Sequence, residues 1–352
     1  MAIRTALVCE AQVPFVDGGA ERLVRQLVLH LRQHGCRAEI VSIPFKWYPK
    51  EEILAHAAAW RLIDLSESNG VPVDLVIATK FPTYLARHPH KVTWLVHQHR
   101  AAYELCGTPF SDFGYTELDV GLRESIFRID RDALLESRRI FTIARNTSAR
   151  LEKFLGVHAD PLYHPPRLEP RLRPGPYGDY VLSVARIETI KRVDLAVEAL
   201  ALTRSSLRLA VVGEGTQEQA VAALAARRGV ADRVDFLGAV DDDRLVDLYS
   251  GALAVVYAPY DEDYGYVTLE AFLSAKPVIT AHDSGGVLEF VEDGVNGRIC
   301  EPAADAIAAA MDQFDHDRAR AASFGDAGLL RARQVTWHGV VERLLGEGAQ
   351  DA

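Results

Sequence analysis

Several things are scarce in this 352-residue chain, and each scarcity removes a class of function. There are only four cysteines, Cys9, Cys36, Cys106 and Cys300, scattered without paired spacing. That argues against a disulfide framework and a structural zinc site, and suits reduced thiols in a cytosol. No apolar run is long enough to span a bilayer, and Met1 to Cys9 reads as the start of a strand rather than a signal peptide. A peripheral membrane contact stays open. A surplus of basic residues is also missing: the net charge is -10, which disfavours a general nucleic-acid binder while allowing a local basic pocket. No third glycine follows Gly18-Gly19 at the spacing of a dinucleotide fingerprint, so a nicotinamide-dependent dehydrogenase is a poor reading.

What is present is ordinary for a globular protein: 49% hydrophobic and 25% charged residues, with length enough for two domains. Two series of alternating strand and helix patterns are separated by a proline-dense stretch, Pro161, Pro165, Pro166, Pro170, Pro174 and Pro176. Proline stiffens a linker and blocks a continuing helix or central strand. The expected division is therefore 1–165, 166–335 and a final amphipathic helix at 336–352.

The stretch with most chemistry is Pro259-Tyr260-Asp261-Glu262-Asp263-Tyr264-Gly265-Tyr266-Val267-Thr268-Leu269-Glu270. It follows the apolar strand Ala254 to Ala258 and runs into a helix, so its acids belong at the carboxyl edge of a parallel sheet, where open α/β folds bind ligands. Gly265 allows close backbone approach, and amides at Tyr266, Val267 and Thr268 would face an anion from a helix start. Glu270, read as lying on the first helical turn, can accept hydrogen bonds from a sugar or ribose diol. Glu262 can reach a sugar ring or stabilise positive charge there.

Other loops add to this edge. Arg186 and Lys191 follow the strand Tyr180 to Val184, and two cations on a short loop can clamp a diphosphate; pairing with Glu188 or Asp194 is the plainer alternative. Gly213 and Gly215 permit a nucleotide to approach. In the first half, Gly18 and Gly19 open a helix carrying Leu23, Val24, Leu27, Val28 and Leu31 at helical spacing, with Asp17 near the cap. His97 and His99 end another strand, but no third ligand supports a metal pair. Phe45-Lys46-Trp47-Tyr48 could touch an acceptor or a membrane surface, or simply pack as a loop. The arginines from Arg123 to Arg139 read as a solvated helix face, and Asn146 or Ser148 as a helix cap. Asp241-Asp242-Asp243 has the form of a metal-binding acidic motif, but its position just before a helix favours capping.

Taken together these segments resemble a family 4 retaining glycosyltransferase of the GT-B architecture over nearly the whole chain. The resemblance is carried by Gly18-Gly19-Ala20-Glu21-Arg22, Val184-Ala185-Arg186 with Lys191, Val212-Gly213-Glu214-Gly215, Phe236-Leu237-Gly238, and Glu262 to Glu270 followed by Gly285-Gly286. It implies an α/β fold with two Rossmann-like doubly wound domains facing a cleft, and a last helix around Trp337 crossing back to the first. It implies that Arg186 and Lys191 bind the donor diphosphate, Glu270 the ribose, Glu262 the transferred sugar, and His97 the reaction centre, with Gly19 approaching the donor. No metal or other cofactor is implied. The expected partners are a nucleotide-sugar donor and a saccharide or polyprenyl-linked acceptor, in the cytoplasm or at the inner membrane face. The turn Asp263-Tyr264-Gly265-Tyr266 departs from the family's usual Gly-Phe-Gly, which leaves donor preference open. A silent nucleotide-sugar binding protein, an epimerase and a sucrose-type synthase are the alternatives on the same architecture.

Overall fold

The computed structural model describes residues 3–15 and 18–346. The chain divides into two compact units, Met1–His164 with Thr336–Ala352, and Pro165–Val335. Each is built on a six-stranded parallel sheet.

In the N-terminal unit the strands are β1 (Thr5–Gln12), β2 (Arg37–Pro44), β3 (Leu75–Ala78), β4 (Lys91–Leu95), β5 (Arg139–Thr142) and β6 (Asp160–Pro161), in the order β2-β1-β3-β4-β5-β6. Every residue of β3 and β4 is buried, as expected of strands covered on both faces. Helix α1 (Gly19–Gln33) buries Leu23, Val24, Leu27, Val28 and Leu31, one stripe at helical spacing, and Gly35 ends the segment at φ 88°. Three further helices, α2 (Ile53–Leu62), α3 (Glu117–Leu135) and α4 (Arg145–Leu155), complete the unit before the crossing.

The expectation that the arginines around α3 are merely solvated is wrong in detail. Arg123 donates to the Ala102 carbonyl at 2.7 Å, Arg131 to that of Leu155 at 3.2 Å, and Arg139 to those of Arg343 and Leu344 at 2.6 and 2.8 Å. Long guanidinium forks reach carbonyls in the last turns of helices, where the helix itself offers no partner. The expected cap of α4 is also corrected. Its N-cap is Ala144, without a side-chain bond, because the helix starts at Arg145; Ser148 instead bonds the Thr142 hydroxyl at 2.6 Å.

The C-terminal unit carries β7 (Tyr180–Val184), β8 (Arg208–Val212), β9 (Val234–Phe236), β10 (Ala254–Val256), β11 (Val278–Ala281) and β12 (Gly297–Cys300). Their order is β9-β8-β7-β10-β11-β12. The order reverses between β7 and β10, the point at the carboxyl edge where open α/β sheets bind their ligands. The helices are α5 (Val193–Leu202), α6 (Glu218–Arg227), α7 (Asp242–Gly251), α8 (Tyr266–Leu273), α9 (Ala304–His316) and α10 (Arg318–Ala332). The proline-dense segment from Pro165 onward belongs to this unit. Arg167 forms a two-pronged pair with Asp242 at 2.5 and 2.6 Å, and the buried Lys276 ammonium donates to the carbonyls of Gly175 and Pro176 while sitting 3.8 Å from the Tyr177 ring centre.

The last helix, α11 (Trp337–Leu345), packs in the N-terminal unit. Trp337 stacks on His30 of α1 with centroids 4.7 Å apart, and lies edge-on to Trp94 at 6.2 Å. Among the described residues no helix is long and apolar enough to cross a membrane.

One buried acid is a stability handle. Asp130 on α3 is fully buried and accepts a 2.7 Å bond from the Tyr103 hydroxyl. Burial pushes its carboxyl up to about 7, although the tyrosine hydroxyls beside it favour the ionised form. The unfolded chain loses this proton near 3.8, before the folded one does, so the contribution of Asp130 to stability declines as pH rises from about 4 to about 7. Asp130→Asn is therefore expected to gain stability relative to wild type as pH moves from 5 to 8. Urea midpoints at the two values check this, and a difference independent of pH contradicts it.

Candidate functional site

Three loops meet at the carboxyl edge of the C-terminal sheet. The first leaves β7 and continues as a ladder against the loop after β8: Ala185 donates to the Val212 carbonyl at 3.0 Å, Ile187 to that of Glu214 at 3.0 Å, and Gln217 to that of Ile187 at 2.9 Å. Gly213 and Gly215 make this approach sterically feasible. Gly213 has φ 124°, and a Cβ there would lie 2.0 Å from the Ala185 carbonyl oxygen; one at Gly215 would lie 2.3 Å from that of Ile187. The neighbouring loop by itself therefore requires glycine at both positions.

The second loop, between β10 and α8, carries the acidic turn. It is held from both sides through its backbone. Tyr260 donates to the Ile190 carbonyl at 2.8 Å, Asp261 to that of Asp283 at 2.9 Å, and Glu262 to that of Ser284 at 3.2 Å, while Gly286 donates back to Glu262 at 2.7 Å. A Cβ on Gly286 would sit 2.3 Å from the Asp263 carbonyl, so the third loop, after β11, lies directly against the turn. Gly265, at φ 81°, then starts α8 without a side-chain cap, and its carbonyl takes the Thr268 amide at 3.0 Å. Tyr266, Val267 and Thr268 form that first turn. The Thr268 hydroxyl is buried without a hydrogen-bond partner among the described residues. Glu270 stands one turn further on than its sequence suggested, because the helix begins at Tyr266 rather than Leu269.

The side chains complete the arrangement. Lys191 and Glu262 form an ion pair, with side chains only 16% and 19% exposed. Arg186 is exposed and forms no ion pair among the described residues, so its charge is available to an anion. The neighbouring Glu188 accepts bonds from the Thr216 hydroxyl at 2.6 Å and amide at 3.1 Å, and these, with the nearby Arg186 charge, hold its carboxyl below the usual range. Glu270 accepts a 2.7 Å bond from the buried Tyr249 hydroxyl. Tyr257 is buried near Glu262, and both phenols are pushed well above their ordinary range, by burial first and then by the charge of these carboxylates. The edge therefore presents a cationic loop, two carboxylates beside buried tyrosines and an uncapped helix start, a set suited to a phosphorylated polyol.

Of the acidic motif, Asp241 caps α7 by accepting the Arg244 amide at 2.8 Å, and Asp242 and Asp243 pair with Arg167 and Arg171. No group of three or more metal-ligating side chains occurs among the described residues.

Residues 172–331 match the family of glycosyl transferases group 1. The C-terminal unit is a glycosyl transferase group 1 domain. The chain is 32% identical over 181 residues to D-inositol 3-phosphate glycosyltransferase of Acidothermus cellulolyticus, a match covering 48% of this chain and 40% of that protein. It is 30% identical over 170 residues to the alpha-1,3/1,6-mannosyltransferase ALG2 of Homo sapiens, covering 44% and 41%. The chain thus spans about two fifths of the length of these relatives. Among solved structures, sucrose-phosphate synthase of Thermosynechococcus elongatus superposes with a TM-score of 0.77 at 18% identity over 97% of both chains. Anabaena HepE, solved with UDP and glucose, gives 0.71 at 17% identity over 97% of this chain and 98% of that one. The fold is that of the GT-B glycosyltransferases.

The remaining expected site residues lie in the N-terminal unit, away from the group 1 domain in sequence. Gly18 donates to the Glu21 carboxylate at 2.9 Å, and Glu21 is paired in turn with Lys80 at 2.6 Å, both side chains being buried. Gly19 is the first residue of α1, and Asp17 lies outside the described residues. His97 is half-buried beyond β4, its Nδ1 2.7 Å from the Gln98 carbonyl. His99 is half-buried, its ring against Phe81 and Phe113, and desolvation brings its imidazole down to about 4.

Sequence reasoning missed Lys80, Arg192, Asp283, Tyr249 and Tyr257. Arg192 directly follows Lys191 and Tyr257 directly follows β10, which were usable signals. Tyr249 and Asp283 reach the turn only through tertiary packing. Gly213→Ala is expected to lower stability by about 2 kcal/mol or more, because its Cβ meets backbone and its φ is left-handed. A urea midpoint equal to wild type would contradict the packing described.

Proposed function

We propose that this protein is a retaining, metal-independent glycosyltransferase that moves a sugar from a nucleotide-diphosphate donor to a saccharide or lipid-linked acceptor. The observation that carries the reading is the convergence of Arg186, Lys191, Glu262, Glu270 and the uncapped start of α8 on one sheet edge of a group 1 domain. Arg186 and Lys191 hold the diphosphate and stabilise the charge that develops as it leaves, taking the part a divalent cation plays in other transferases. Amides at Tyr266, Val267 and Thr268 add partial positive charge from the helix end. Glu270 accepts from the ribose hydroxyls, its carboxylate fixed by Tyr249. Glu262 accepts from the transferred sugar.

In the reaction, the bond from the anomeric carbon to the diphosphate oxygen breaks while the acceptor oxygen attacks on the same face. The acceptor's proton passes to a diphosphate oxygen, so no side chain is required as base. The configuration is retained. His97 is assigned to the reaction centre and the Gly18-Gly19 turn of the N-terminal unit to the donor. Mannose carried on guanosine diphosphate is the first donor to test, in line with the mannosyltransferase relative, and glucose carried on uridine diphosphate the second, in line with the HepE complex. Surface polysaccharide assembly at the inner membrane face fits a lipid-linked acceptor.

Removing one preorganised charge from a developing oxyanion costs about 10²–10³ in rate. Arg186→Ala and Lys191→Ala are each expected to lower donor turnover by about that factor, measured as nucleoside diphosphate release. Unchanged turnover in both variants would overturn the assignment. Turnover should also persist in excess chelator, and its collapse there would favour a metal-dependent route.

A further inference from the structure

The acidic turn and the cationic loop are joined by a residue to which the proposed chemistry assigns nothing. Arg192 follows Lys191 and sits between the short 3-10 turn Thr189–Lys191 and α5 in the left-handed region, at φ 51° and ψ 44°. Few residues other than glycine or asparagine take this conformation, and a long side chain gains nothing from it locally. Its guanidinium makes up the difference. Nη1 and Nη2 form a two-pronged pair with Asp283 at 2.9 and 2.6 Å, Nε donates to the Ala258 carbonyl at 2.8 Å, and Nη2 also donates to that of Pro259 at 2.7 Å. The side chain is largely buried, with its guanidinium 5.9 Å from the Tyr260 ring centre. One side chain thus ties together the loop after β7, the start of the acidic turn and the loop after β11.

We propose that Arg192 is a positioning residue for sugar transfer, acting through Glu262. The clamp sets how far the Pro259–Glu262 backbone stands from Lys191, and hence where the Glu262 carboxylate meets the sugar ring. Diphosphate contacts depend less on it, because the backbone on either side of Arg186 is held by the bonds of the Ala185 and Ile187 amides to the loop after β8, and the α8 start by that of the Thr268 amide to Gly265. Two properties make arginine the fitting residue. Only a planar fork can serve a carboxylate and two carbonyls at once, and lysine, a point charge, cannot reproduce this. The left-handed backbone aims the side chain across the sheet edge rather than along α5.

This inference rests on the functional reading above, and the test separates the two. Arg192→Gly suits the backbone conformation and removes only the clamp; Asp283→Asn weakens it from the other side. Wild type and both variants are compared for UDP and GDP affinity by calorimetry, for turnover of UDP-glucose and GDP-mannose, and for thermal unfolding. The expected result is that Arg192→Gly lowers kcat about tenfold to a hundredfold on the donor that wild type uses. Affinity for the matching free nucleoside diphosphate should change less than threefold. Asp283→Asn should show the same split more weakly, and Arg192→Lys should not restore kcat. A wild-type kcat in Arg192→Gly, or equal losses of kcat and nucleotide affinity, overturns the positioning role while leaving the transferase reading intact. Failure of wild-type protein to bind or turn over any of the four probes overturns both.

Discussion

The ion pair between Lys191 and Glu262 sets the character of the C-terminal unit. It joins a cation on the loop after β7 to a carboxylate on the loop after β10, the two loops that flank the point where strand order reverses. A parallel sheet with that order leaves a crevice there, and the chain fills its rim with backbone ladders rather than with apolar packing. Both charges are largely withdrawn from water, so each is costly without the other. If the proposed donor binds here, a diphosphate taking over Lys191 must be matched by another partner for Glu262, such as a sugar hydroxyl, and the pair would then couple recognition of the two halves of one donor.

Around it the structure is rigid for identifiable reasons. Tyr249 brings a hydroxyl donor from the core to Glu270, and Arg192 locks three loops with one guanidinium. Gly213, Gly215 and Gly286 are the points at which the loops touch backbone to backbone, and none has space for a methyl group. Preorganisation of this kind is what electrostatic stabilisation of a leaving group requires, because charges already in place need not reorganise as the bond breaks.

The fold was legible because it rests on local pattern. Buried parallel strands write themselves as short apolar runs, α1 as a stripe of leucines and valines, and the linker as a cluster of prolines. The edge residues Arg186, Lys191, Glu262 and Glu270 could be found from their places just beyond strands. The errors came where tertiary contacts decide. The arginines flanking α3 looked solvated, but carbonyls from distant segments recruit them. Glu270 falls on the second turn of α8 rather than the first, because the helix already begins at Tyr266.

The direct test of the account is a crystal structure with a bound nucleoside diphosphate. The account predicts its phosphates within hydrogen-bond reach, about 3 Å, of the Arg186 guanidinium and the Lys191 ammonium, beside the first turn of α8. Phosphates seated away from both cations would contradict it.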